Sequence, residues 1–167
     1  KKDGTNFEGD VAREKTPKLL LSGAFHQNNL ARRTQGQLGG DLFEQKTMKS
    51  VLLDAMLKYN GWALMSSYMS RSAKDPIAFN PDDITEFNYV PVGSGMDYQL
   101  SYVFPTNYEI IGRFSTQKMH EDIQALTPDS KQYSLGVTKY LWEHAFKLQG
   151  EVTLSDLNYF DGSNKQN

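Results

Sequence analysis

The residues best suited to acid–base chemistry near neutral pH are three histidines, His26, His120 and His144. They lie far apart in the sequence, and no His-Glu-x-x-His or comparable spacing sets two imidazoles around a metal. There is no cysteine, which removes thiol nucleophiles, thiolate metal sites and disulfides together. Gly93-Ser94-Gly95 has two glycines of a phosphate-cradling loop but neither the third glycine nor a following helical pattern, so it reads as glycine at a strand entry. Asp82, Asp83 and Glu86 offer carboxylates to a hard cation without the EF-hand spacing and read as an acidic loop. These patterns assign no catalytic residue, cofactor or metal, and the expectation is a protein that is not an enzyme.

Charge repeated at every second position is the more informative pattern, because alternate residues of a β-strand share a face. Asn60-Gly61 supplies the two positive φ angles of a type I′ hairpin turn. That turn sets Tyr59 opposite Trp62, Leu57 opposite Leu64, Ala55 opposite Ser66 and Leu53 opposite Tyr68 on one face, and leaves Lys58, Asp54, Met56, Met65 and Ser67 on the other. Pro105-Thr106-Asn107 predicts a second hairpin, with Phe104 opposite Tyr108, Tyr102 opposite Ile110, Leu100 opposite Gly112 and Tyr98 opposite Phe114. Its other face carries Val103, Glu109, Ser101, Ile111, Gln99, Arg113, Asp97 and Ser115. A third turn at Glu143-His144 predicts Leu141 opposite Phe146, Val137 opposite Gly150, Leu135 opposite Val152 and Tyr133 opposite Leu154. Lys147, Gln149 and Glu151 fall on its polar side, and Lys139 falls on the apolar side, close enough to the turn to snorkel.

Further strands are expected over residues 18–25 and, briefly, 10–12. Residues 41–59 also suit a helical period, but the turn signal and the matching run after it favour a strand. The connections 27–46, 73–92 and 118–130 are long and polar, so tight turns alternate with extended loops. About seven or eight strands result.

The chain has 167 residues, 38% of them hydrophobic, which suits one folded region and excludes disorder. Lys plus Arg total 18 against 20 acidic residues, and this net charge of -2 advertises no nucleic-acid partner. No run approaches the ~18 apolar residues of a transmembrane helix, and the opening Lys1-Lys2-Asp3-Gly4-Thr5-Asn6 is not a signal peptide. Membrane β-strands escape that test, since each needs only ~9–11 alternating residues.

Two arrangements fit. In a soluble β-barrel or sandwich that binds a small ligand or partner protein, the apolar face is the core and the charges are solvated. In an antiparallel up-and-down transmembrane β-barrel the faces invert. Lipid meets the apolar side, and Asp54, Lys58, Asp97, Gln99, Glu109, Arg113, Lys147, Gln149 and Glu151 line the pore. Tyr59, Trp62, Phe104, Tyr108 and Phe146 all adjoin the short turns and form an aromatic girdle at one depth. Arg113, beside Gln99 and near Glu109, is the best single candidate to contact an ion, and Arg32 and Arg33 in the first long loop are candidates for a constriction.

A strand, tight glycine turn and return strand recur at Lys58-Tyr59-Asn60-Gly61-Trp62-Ala63-Leu64-Met65-Ser66-Ser67-Tyr68-Met69-Ser70-Arg71 and at Leu135-Gly136-Val137-Thr138-Lys139-Tyr140-Leu141-Trp142-Glu143-His144-Ala145-Phe146-Lys147-Leu148, with Leu21-Ser22-Gly23-Ala24-Phe25-His26-Gln27-Asn28 ahead of them. In this order the chain resembles the phosphate-selective porin family, the O and P type outer-membrane porins. The resemblance implies a sixteen-stranded barrel in the outer membrane of a Gram-negative bacterium. Such barrels are commonly homotrimeric and pass small ions or solutes, including anions such as phosphate, by passive diffusion. Residues 1–167 would form one β-barrel region from the later, C-terminal half. No strand ending in an aromatic residue follows Asp161, which is expected to leave the family's closing strand outside this chain. The family's row of lumenal basic residues is replaced by a mixture of signs, so phosphate preference does not carry over.

Overall fold

The computed structural model describes residues 9–142 and 145–166. The turn at Glu143-His144 and the opening residues 1–6 therefore lie outside the described residues.

The chain is all-β. Its strands are β1 (Lys18–Arg33), β2 (Asp41–Tyr59), β3 (Trp62–Ala73), β4 (Ile77–Phe79), β5 (Phe87–Tyr89), β6 (Gly93–Val103), β7 (Tyr108–Met119), β8 (Asp129–Trp142), β9 (Phe146–Asn158) and β10 (Asn164–Gln166). Eight of them form one antiparallel meander in the order β1-β2-β3-β6-β7-β8-β9-β10, and β4 and β5 pair separately. The sheet is not closed: among the described residues β1 and β10 are its edges.

Local chemistry accounts for the hairpins. Asn60 and Gly61 adopt φ of 49° and 90°, and the register is the one the turn dictates, Tyr59 with Trp62 through Leu53 with Tyr68. Asn107 takes φ 61° in the second turn, where the Phe104 amide donates to the Tyr108 carbonyl at 2.7 Å, and Tyr102, Leu100 and Tyr98 face Ile110, Gly112 and Phe114. In the third hairpin Tyr133, Leu135 and Val137 face Leu154, Val152 and Gly150 as expected. The expected pair of Leu141 with Phe146 is replaced by Trp142 with Phe146, because an irregularity after Tyr140 shifts the register by one residue.

Several boundaries differ from expectation. β1 continues to Arg33 and β2 begins at Asp41, so the first connection is much shorter than 27–46. Arg32 and Arg33 thus belong to a strand, not a loop. Residues 41–59 are a strand, which the long cross-strand ladders on both sides stabilise over the helical alternative. The segment at residues 10–12 is a turn rather than a strand. Of the two remaining long connections, one carries the β4–β5 hairpin and the other a single 3-10 turn, Glu121–Ile123.

That hairpin and that turn lie over the long-loop end of the sheet. They build a small core in which Ala31, Met48 and Met119 of the sheet meet Val90, Val92 and Ile123, and the Tyr89 hydroxyl lies 2.6 Å from Thr127 Oγ1.

Candidate functional site

The cross-strand ladders sort the sheet into two faces of opposite polarity. On one face Leu57, Leu64, Leu100, Leu135 and Val152 occupy a single row crossing β2, β3, β6, β8 and β9, and all are exposed, Leu135 by 63% and Val152 by 72%. Neighbouring rows add Leu21, Phe25, Leu53, Tyr98, Ile110, Tyr133, Val137, Leu148 and Leu154, also exposed. The apolar face is therefore bare.

Its rim at the short turns is aromatic. Tyr59, Trp62, Phe104, Tyr108 and Phe146 are all exposed there, and Tyr102 links two of them, with ring centroids 4.8 Å from Trp62 and 4.9 Å from Phe104. Lys139, on the same side, places Nζ 3.9 Å from the centre of the Tyr108 ring and donates to the Thr106 carbonyl at 2.8 Å, which is the snorkelled geometry its position requires. Trp142 joins this rim at 74% exposure. Alternation along β8 does not find it, because strict alternation from Leu141 turns it to the other side, and only the register shift brings it opposite Phe146.

The other face is polar and, at the short-turn end, buried. Lys58 (0% exposed), Ser101, Glu109 and Thr138 are enclosed beside Ala63, Val103 and Tyr140. The Tyr140 hydroxyl donates to Glu109 at 2.5 Å and Lys58 Nζ donates to the Gly9 carbonyl at 3.3 Å. Further along, Asp54 accepts from Ser67 Oγ at 2.7 Å and Ser22 Oγ at 3.2 Å, and Arg113 is paired with Asp97 at 2.7 Å. Arg113 does stand opposite Gln99 in the ladder, but its ion-pair partner is Asp97 rather than Glu109, because the diagonal neighbour on β6 lies within reach and Glu109 is four residues along β7. Lys147, Gln149 and Glu151 occupy the same face of β9 and are exposed.

Between the covered ends, the polar face holds an open trough of about 650 Å³, with Asp54, Ser67, Arg71, Asp97, Ser115 and Gln132 in its lining. Charges of both signs thus line this trough. Arg33 does not join them; it pairs with Asp41 at 3.2 Å at the tip of the β1–β2 hairpin. Arg32 is exposed beside it, and neither belongs to the trough's lining.

Among the described residues no group of three or more His, Asp or Glu could hold a metal ion, and no helix is long and apolar enough to cross a membrane, a test that does not bear on strands. The acidic loop is internally satisfied. Thr85 donates its N–H and its hydroxyl to Asp83, and these bonds hold that carboxyl below the ordinary carboxylate range.

What no periodicity could reveal is the role of residues 9–14. Asp10, 1% exposed, accepts from the Gly61 amide at 2.7 Å and from the Glu14 amide, while the Asn60 amide donates to the Glu14 carbonyl at 2.9 Å. The Arg13 guanidinium donates to the Val103 carbonyl, to Asn60 and to the Tyr102 hydroxyl. These partners of Arg13 are 47 to 90 residues away along the chain, so no local signal announces them.

No family model, no curated protein and no solved structure matches the chain.

Proposed function

We propose that this chain is a segment of an outer-membrane porin, in which the apolar face meets lipid and small ions or solutes diffuse passively along the polar face. The observation that carries this reading is the polarity of the two faces. Leucine, valine and aromatic side chains stay exposed across seven strands, while Lys58, Glu109, Ser101 and Thr138 are enclosed on the opposite side. A soluble sheet covers its apolar face, and soluble monomers rarely leave more than ~300–600 Å² of contiguous apolar surface open. Here the loops and the residues 9–14 pack over the polar face instead.

Strand length and the aromatic rim support the same reading. β6, the shortest of the seven long strands at 11 residues, extends ~37 Å at ~3.4 Å per residue, enough to cross an apolar band ~25 Å tall when tilted by ~40°. The rings of Tyr59, Trp62, Phe104, Tyr108, Trp142 and Phe146 at one end suit a membrane interface. Closure of a barrel requires the edges β1 and β10 to be paired, by further strands or by a second copy. The mixed charge of the trough favours small solutes of either sign over phosphate alone.

The test is folding and conduction in lipid. A β circular dichroism spectrum and heat-modifiable gel mobility obtained only with detergent or lipid, followed by stepwise conductance in planar bilayers, are the expected results. A monodisperse chain that melts cooperatively in plain buffer would overturn the proposal and leave the soluble binding module in its place.

A further inference from the structure

We infer that residues 9–14 are a strap that closes the short-turn mouth of the polar channel and opens by lifting off the sheet. The inference rests on the porin reading above and adds a gate to it.

The strap bridges strands that are far apart in sequence. It binds the β2–β3 turn through Asp10 and Glu14, the end of β6 through Arg13, and the end of β2 through the Gly9 carbonyl and Lys58. It also reaches β7 and β8, since a Cβ on Gly9 would come within 2.7 Å of both Glu109 Oε1 and the Tyr140 hydroxyl. A larger residue there would have to displace the ends of both side chains. Every one of these contacts falls at the rim where the short turns lie, so one segment covers that end of the face from β2 to β8.

The attachment is polar rather than apolar. Arg13 is held by hydrogen bonds and by stacking over the Tyr102 ring at 5.4 Å, and Asp10 by the Gly61 amide, its second bond, from the Glu14 amide, lying within the strap. Groups of this kind exchange protein partners for water when they separate, whereas a packed hydrophobic plug has no such replacement. On the same polar face, next to Tyr102 and opposite Glu109 respectively, Ser101 Oγ and Thr138 Oγ1 are buried without a hydrogen-bond partner among the described residues. Lifting the strap would give both hydroxyls access to water. Attached by exchangeable bonds over an incompletely satisfied polar floor, the strap is poised to move.

Because the chain has no cysteine, a single Ser101→Cys substitution gives a specific probe of the covered floor. The protein is reconstituted in lipid vesicles and treated with a small charged methanethiosulfonate. Labelling is expected to be slow with the strap intact and at least tenfold faster when Asp10→Ala and Arg13→Ala are added, with single-channel conductance rising in parallel. A second pair, Glu14→Cys with Asn60→Cys, joins residues already linked by a backbone hydrogen bond and should lower conductance on oxidation and restore it on reduction. Equal labelling with and without the strap contacts overturns the inference, as does a conducting protein whose conductance neither the release nor the cross-link changes. Faster labelling in a chain that never conducts retains a movable cover and overturns the porin reading instead.

Discussion

Leu100→Arg tests the proposal that the apolar face meets lipid. Leu100 lies on β6 between Leu64 and Gly112, 49% exposed, four residues from Phe104 at the aromatic rim. At ~3.4 Å per residue those four positions cover ~14 Å along the strand, or ~10 Å along the membrane normal at a tilt of ~40°. An apolar band ~25 Å tall has its midplane ~12 Å from the rim, so Leu100 sits close to it. An arginine near the midplane costs roughly 2–4 kcal/mol, which lowers the folding equilibrium in lipid by roughly 30- to 900-fold. The adjacent Gln99 is the internal control, because its side chain points to the opposite face beside Arg113. Gln99→Arg adds a cation to a hydrated wall and is expected to cost no more than ~1 kcal/mol. The assay is reversible unfolding of the vesicle-embedded protein in guanidinium, followed by the fluorescence of Trp62 and Trp142, both on the outer rim. Equal losses for the two variants, or a larger loss for Gln99→Arg, would show that the faces have been assigned the wrong way round.

Other perturbations read single contacts. Gly61→Ala places a Cβ 2.7 Å from the Val103 carbonyl at φ 90°, and should lower the unfolding free energy by about 1–2 kcal/mol without changing the denaturant slope. Tyr140→Phe removes the 2.5 Å bond to the buried Glu109 and should cost about 1.5–3 kcal/mol in the same assay, whereas Tyr133→Phe on the exposed face should be nearly silent. Arg113→Ala leaves Asp97 without its ion-pair partner, so the reversal potential in a salt gradient should move toward cation selectivity; an unchanged potential would place this pair away from the solute path. Asp83 has its carboxyl held low in the folded loop by Thr85, so the turn it makes gains stability that is present above the ordinary carboxylate range and lost as pH falls through the lowered value. The Thr85 amide resonance should accordingly titrate below that range, and Thr85→Val should bring the Asp83 titration back up.

The sequence by itself determined the parts that depend on neighbours along the chain. Asn60-Gly61 can satisfy two positive φ angles in succession, and once that turn is set a period of two assigns every position from 51 to 70 to a face. For the same reason the order of residues alone places Tyr59, Trp62, Phe104, Tyr108 and Phe146 at one rim, since each adjoins a short turn. Tertiary structure decided what crosses the sheet. Trp142 reaches the rim only through a register shift that strict alternation does not contain. Arg113 selects Asp97 by diagonal reach, and Arg33 pairs with Asp41, away from the trough, because β1 runs on to pair with the start of β2. The strap is the extreme case. Asp10 and Arg13 have no periodicity to mark them, and their partners are brought to them by the β2–β3 turn and the end of β6, which meet only when the meander is assembled. Alternation is a local property of the backbone and is written in order along the chain, whereas the closing of a surface depends on distances between strands that the order of residues does not contain.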